Sequence, residues 1–223
     1  MDTTTPKLTD RRDSPWWEIL VVMGASLSIS LFFPSLEIVG ILIPIAYLII
    51  EHHLRHRTWI ESGFQFKNLP QDLLHNWGWV LLVSIGFQAL SVFGAYFLLP
   101  EFSSHVLARL PFDLHTLNAG LFSTILVVTL GEEIIYRALF QKRLSGFLPV
   151  SVAILLSSLT FALMHYASGP ALIVFTDLAL IFVDSVVYGI IFARSNNVFA
   201  SWIAHFLADV FGIIFLLVLM WGR

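Results

Sequence analysis

Seven apolar runs divide the chain: Trp16–Phe33, Ile38–Ile50, Trp77–Leu99, Leu117–Phe140, Pro149–Tyr166, Ala171–Ala193 and Val198–Trp221. A helix needs roughly 20 apolar residues to cross the hydrocarbon core of a bilayer. The pattern therefore predicts an all-α, polytopic transmembrane helix bundle of about seven spans. The second run is short and spans only if flanking residues are drawn in. Trp16, Trp17, Trp77, Trp79 and Trp221 stand at run ends, where an interfacial aromatic belt would put them. Asn68–Asn76 reads as an interfacial stretch entering the third span, and residues 100–116 as a loop bounded by Pro100 and Pro111. The first run is long and lacks a small-residue cleavage site, so it reads as a retained span rather than a signal peptide.

The fourth run is interrupted by Gly131-Glu132-Glu133-Ile134-Ile135-Tyr136-Arg137. Each charged side chain costs about 2.5–3.5 kcal/mol at the centre of a membrane helix, so these three must face a protein interior or a water-filled cavity and meet partners. Glu133 and Arg137 are four apart, on one helix face, and can pair. Glu132 is turned about 100° away and must find something else. Phe161 and His165 share a face in the fifth span, and His205 and Asp209 share one in the seventh. At about 1.5 Å per residue, Glu132, His165, His205 and Asp209 fall at similar depths, within one layer about two helical turns thick. These groups suit a catalytic site, or alternatively a set of helix cross-links that neutralise one another.

Composition narrows the class. The 223 residues are 57% hydrophobic and only 12% charged, half the charge of a soluble domain. With no cysteine, the chain has no disulfide, thiolate nucleophile or cysteine-bound metal. No basic patch exists to neutralise phosphates, so nucleic acid is not an expected partner; the lipid bilayer is. Placing the N-terminus in the cytoplasm puts Lys7, Arg11, Arg12, Arg55, Arg57, Lys67, Lys142, Arg143 and Arg194 inside, with Arg109 and Arg223 outside and Arg137 within the membrane. The positive-inside rule thus favours an N-in, C-out arrangement. The expected organisation is a cytoplasmic tail (1–15), N-terminal spans and loops (16–116) and a catalytic membrane core (117–223). No internal repeat is visible, which speaks against an inverted-repeat transporter.

Three motifs in order on successive spans, Glu132-Glu133-x-x-x-Arg137, Phe161-x-x-x-His165 and His205-x-x-x-Asp209, resemble the CPBP family, the CAAX protease and bacteriocin-processing intramembrane endopeptidases, over residues 118–212. The resemblance implies that Glu132 activates a water with help from His165. It implies that Glu133 and Arg137 form a supporting pair, and that His205 and Asp209 stabilise the oxyanion. Phe161 belongs to the second motif in a supporting role. Prenyl-protein proteases carry asparagine at the last position; an ionised Asp209 accepts a hydrogen bond but cannot donate one. Either it is kept protonated by the nearby acids, or it orients His205, which then donates.

The expected function is therefore peptide-bond hydrolysis in a peptide or membrane-associated protein by glutamate-activated water, without a cofactor. Three other readings use the same residues: a zinc-dependent protease with Glu132, His165, His205 and Asp209 as ligands, a non-enzymatic immunity or partner protein on a similar fold, and a proton-coupled carrier using Glu132, Asp177 and Asp184. Asp177, Asp184 and Tyr188 share a face of the sixth span and read as water- or arginine-satisfied packing or as a cavity rim. Glu51, His52, His53 and His56 look like a metal cluster on paper, but their place at a membrane edge beside Arg55 and Arg57 points to a solvated, interfacial role. His75, His105 and His115 have no partner at ligand spacing. Short loops and absent cysteine fit a bacterial plasma membrane, and neither the substrate nor the oligomeric state is legible.

Overall fold

The computed structural model describes residues 15–110 and 118–221. The basic residues Lys7, Arg11, Arg12 and Arg223, together with Pro111, His115 and Leu117, lie outside them. Among the described residues the regular structure is all helical: α1 (Trp16–Phe32), α2 (Glu37–Arg55), α3 (Leu69–His75), α4 (Trp77–Leu98), α5 (Phe102–Arg109), α6 (Ala119–Leu144), α7 (Val150–Met164), α8 (Ala171–Ser195) and α9 (Val198–Trp221).

Among the described residues, five helices are long and apolar enough to cross a membrane: α4, α6, α8 and the greater parts of α2 and α9. The chain is a multi-pass membrane protein. The second apolar run, the short one by sequence, becomes a 19-residue helix because Glu51 to Arg55 continue it. The expected spans 16–33 and 149–166 instead yield shorter apolar helices of 17 and 15 residues. The interfacial stretch 68–76 is mostly the helix α3, and the expected loop 100–116 contains α5.

Local chemistry sets the ends. Pro15, Pro149 and Pro170 immediately precede α1, α7 and α8, where a missing N–H costs nothing because the first helical N–H groups have no acceptor anyway. Asn118 Oδ1 accepts the Leu121 N–H and caps α6. Asn196 ends α8 in the left-handed conformation, φ 49°, which asparagine tolerates better than most residues.

The bundle is apolar outside, and its interior mixes apolar with small and polar side chains. Leu90, Phe97, Val127, Leu159, Leu172 and Phe175 point outward, while Ser157, Ser158, Ser185, Ser201, Ala200, Ala204 and Ala208 are enclosed. Small residues let membrane helices approach closely where no water-driven force holds them. Gly189 is one case: a Cβ there would lie 2.8 Å from Gln141 Oε1 and 3.2 Å from Arg137 Nη1. Its absence brings α8 onto the charged face of α6. On the other side, Tyr136, Leu139 and Phe140 of α6 pack against Ile19, Met23 and Leu48 of α1 and α2.

One end of the bundle gathers the basic residues. Arg143 donates to Glu51 at 2.5 and 2.9 Å, Arg55 to Glu18 at 2.7 Å, Lys142 to Asn196 and Arg194 to Asn76. This corrects the solvated reading of Glu51, which is buried in an ion pair. The adjacent His52 stacks on Trp59. Trp16, Trp17 and Trp77 are exposed at helix starts, as a belt requires, whereas Trp79 packs partly into the core.

Candidate active site

The site begins with a change in helical pitch. Directly after Glu133, α6 widens into a π-helical stretch, Ile134–Gln141, a device often found beside functional centres. Every residue from Ile135 to Gln141 is buried, because α1, α2, α7, α8 and α9 surround this segment. Arg137 is completely enclosed, and its fork is spread over four partners. Nε faces Glu133 Oε2 at 3.5 Å, Nη2 donates to Ser185 at 2.6 Å, and Nη1 donates to Gln141 at 3.2 Å and to Ser157 at 3.5 Å. Gln141 in turn donates to the Gly189 carbonyl and Ser157 to the Tyr136 carbonyl, both at 2.8 Å. The expected Glu133–Arg137 pair is present, inside a serine and glutamine cage that the sequence motifs do not contain.

Glu132, rotated away from Arg137, meets the two histidines. Its Oε1 lies 3.9 Å from His165 Nε2 and its Oε2 lies 3.7 Å from His205 Nε2. These separations exceed direct hydrogen bonds, and a water can join such partners only from one side, not between them. His165 follows the last turn of α7, and its Nδ1 is 2.9 Å from the Phe161 carbonyl. That carbonyl can only accept, so Nδ1 carries the proton and Nε2 presents a lone pair toward Glu132.

His205 joins both glutamates. Its Nδ1 stands 3.1 Å from Glu133 Oε1 and donates to it, while Nε2 faces Glu132 and, at 3.9 Å, Asp209 Oδ1. The ring is stacked on Tyr188, 4.5 Å between centroids and 18° between planes, with the Phe161 edge against it at 5.6 Å. Phe161 also touches the His165 ring and is met edge-on by Tyr136. A permanent wall of aromatic rings thus fixes both imidazoles.

All seven candidate residues converge: Glu132, Glu133, Arg137, Phe161, His165, His205 and Asp209. They are not equally covered. Glu133 and Arg137 are fully enclosed, whereas the Glu132 side chain is 26% exposed and that of Asp209 44%. The acidic layer therefore reaches the surface through Glu132 and Asp209. Asp184 sits beside this layer and accepts both 2.9 and 3.0 Å hydrogen bonds from Gln88 of α4. Asp177 is held by Arg109, the arginine-satisfied alternative. His105, expected to lack a partner, faces the same carboxylate at 3.4 Å.

Sequence reasoning missed Ser157, Ser185, Gln141 and Gln88 as parts of the assembly, whereas Tyr188 stood on the face read as a cavity rim. The signal of those four was weak, a neutral polar side chain in an apolar run, although Gln141 and Ser157 continue the four-residue spacing of Glu133/Arg137 and Phe161/His165. Among the described residues no group of three His, Asp or Glu side chains is arranged to hold a metal ion. Of the four residues expected to form a zinc set, Glu132 faces His165 and His205 at 3.9 and 3.7 Å, and His205 faces Asp209 at 3.9 Å.

A membrane-embedded helical bundle whose interior carries two acids, an arginine and two ordered histidines is the class defined by fold and site together. Residues 113–211, just under half of the chain, match the family model described as Type II CAAX prenyl endopeptidase Rce1-like. This match bears out the CPBP resemblance over the helices that build the site. No curated protein and no solved structure matches the chain.

Proposed function

We propose that the protein is an intramembrane endopeptidase that cleaves a peptide bond with water activated by Glu132. The observation that carries this reading is the convergence of Glu132 with His165 Nε2 and His205 Nε2 around a gap of 3.7–3.9 Å, within a chain whose core matches a peptide-hydrolase family. Glu132 takes a proton from a water that His165 also holds, and the oxygen adds to the substrate carbonyl carbon. His205 Nε2–H donates to the resulting oxyanion. Collapse breaks the C–N bond, and the proton on Glu132 passes to the leaving amine. Glu133, anchored by Arg137, orients His205 through Nδ1. Asp209 lies 3.9 Å from His205 Nε2, too far for a hydrogen bond, and acts on the doubly protonated imidazole through charge alone, leaving Nε2–H to the oxyanion.

The bundle crosses the membrane seven times, with α1 and α7 completing the five longer helices, and the N-terminus faces the cytoplasm. Support comes from Arg55, Arg57, Lys142, Arg143 and Arg194, which end or follow helices at one face. The cavity then opens to the opposite, non-cytoplasmic face of a bacterial plasma membrane, and the substrate is a peptide or membrane-associated protein segment presented there. The core is 117–223, and the preceding spans brace it. The chemistry uses no metal.

The test is cleavage of a quenched peptide library by the purified protein in detergent or liposomes, beside Glu132→Gln and with a chelator. The expected result is a loss of at least about a hundredfold in the variant, an unchanged elution profile and no effect of chelator. Equal activity in Glu132→Gln overturns the mechanism. Biological function that survives the substitution supports the non-enzymatic reading, and inhibition by chelator supports a metal centre.

A further inference from the structure

At the basic end of the bundle, away from the two histidines, α3 and the last turn of α8 border a cavity of about 450 Å³. Gln71, Asp72, His75 and Asn76 line it from one helix and Arg194 from the other. Every one of these side chains is polar, so the cavity suits a polar ligand and not an acyl chain. Its volume falls within the ordinary range of small-molecule sites, about 300–1,000 Å³.

Two buried asparagines build the site. Asn76, 2% exposed, accepts from Arg194 Nε at 2.9 Å and ties its own amide to the Asp72 carbonyl at 2.9 Å. Asn197, fully enclosed just before α9, donates to Asp72 Oδ2 at 2.7 Å and to the Gln65 carbonyl at 3.0 Å. Each charged side chain is thus held at one edge by a neutral amide. Among the described residues Arg194 and Asp72 form no ion pair with each other, and no partner meets Arg194 Nη1, Arg194 Nη2 or Asp72 Oδ1. The asparagines hold an acid and a base apart in one cavity, with a donor fork from α8 and a carboxylate oxygen from α3. His75 sides with the acid. Its Nδ1 lies 3.3 Å from the Gln71 carbonyl, which can only accept, so Nε2 of the neutral ring is an acceptor too.

A ligand that satisfies this cavity carries both charges. A phosphate takes the arginine fork in bidentate fashion, and a primary ammonium donates to Asp72 Oδ1 and His75. An anion without an ammonium leaves the Asp72 charge unpaired, and a quaternary ammonium has no N–H to donate. Leu74 and Trp77, neighbours of the lining residues, are exposed and apolar, and Trp77 stands where the aromatic belt lies. The cavity is therefore at the level of the lipid headgroups. We infer that it binds the phosphoethanolamine headgroup of a bilayer lipid, phosphate on Arg194 and ammonium on Asp72. Asn76 and Asn197 are the positioning residues. The lipid bridges α3 to the end of α8, the helix that brings Ser185 and Gly189 to Arg137. Nothing in this inference uses the endopeptidase reading.

The test is native mass spectrometry of the detergent-purified protein with an equimolar mixture of phosphatidylethanolamine, phosphatidylcholine and phosphatidylglycerol of the same acyl chains. The wild type is expected to retain phosphatidylethanolamine about tenfold over either of the others. Asp72→Asn, which keeps an acceptor for Asn197, is expected to bind phosphatidylglycerol as well as phosphatidylethanolamine. Arg194→Gln is expected to lower phosphatidylethanolamine to the level of phosphatidylcholine. Equal retention of all three lipids by the wild type overturns the inference without recourse to a variant. A wild-type preference for phosphatidylglycerol overturns it as well, because the site is then simply cationic. A phosphatidylethanolamine preference that survives both substitutions places the lipid elsewhere and has the same force. Free O-phosphoethanolamine at the lipid's concentration is expected to displace none of it; full displacement would assign the cavity to a soluble ligand and overturn the lipid.

Discussion

Arg137 is the residue on which the interior depends. Its guanidinium has no exposure, and Glu133, Ser185, Gln141 and Ser157 surround it. Removing one partner of a buried pair costs about 3–5 kcal/mol because the other charge is left uncompensated. Arg137→Met is therefore expected to lower the detergent melting temperature sharply, and the double variant Arg137→Met, Glu133→Gln to recover part of the loss. A double variant no more stable than the single one would show that the cage, not the pair, holds the helices. The pair itself was legible in the sequence, since four residues on a helix bring two side chains to one face. The cage was not, because Ser157, Ser185 and Gln141 are neutral side chains that an apolar run can carry without a partner, even though Gln141 stands four residues after Arg137 and Ser157 four before Phe161. Nor did spacing reveal that His205 bonds to Glu133 at 3.1 Å, a contact 72 residues apart that only packing creates.

Among the elements, α6 and α8 set the precision of the site. α8 approaches through Gly189, where a methyl group would meet Gln141 Oε1 at 2.8 Å and Ile154 Cγ2 at 3.0 Å. Gly189→Ala is expected to cost about 1–3 kcal/mol of stability through overpacking and to lower kcat more than it raises KM, because the strain falls on the Arg137 cage rather than on the opening. Unfolding and steady-state measurements on the same preparation check this; an alanine variant with wild-type melting would mean that Gln141 moves aside freely. Element type was readable throughout from apolar runs, but length was not. Apolar pattern cannot see that Glu51 and Arg55, polar residues, continue α2, nor that α7 stops at Met164 so that His165 leaves the helix axis with its ring nitrogen near Glu132. The connection 100–116 reads as a loop from its bounding Pro100 and Pro111, and the eight residues of α5 are too few to show a firm period.

For the whole molecule, basic residues gather at one end, while Glu132, 26% exposed, and Asp209, 44% exposed, are where the acidic layer reaches the surface. The absence of cysteine makes orientation directly measurable. Single cysteines at Lys67 and at Gly169, one near each end, are expected to react with an impermeant maleimide in intact cells only at position 169. Labelling at position 67 alone would invert the topology and turn the cavity to the cytoplasm. The gross fold and the site motifs were legible because membranes impose a length on apolar runs and make every interior charge conspicuous. The direction in which the cavity opens depends on which charges packing leaves uncovered, which no linear pattern records.

The ion pair between Glu51 and Arg143 bears on biosynthesis. The two residues are 92 positions apart, so a ribosome adding 5–20 residues per second makes the acid roughly 5–20 s before its partner. In that interval α2 enters the bilayer with an acid on its inner face. Arg55, four residues on, and Arg57 both reach Glu51 in the finished protein, at 3.3 and 3.5 Å. They are translated almost together with it and supply a nascent-chain counter-charge until α6 arrives. The α1–α2 hairpin is thereby equipped to wait in the membrane as a separate unit, and the late docking of Arg143 joins it to the helix that bears Glu132.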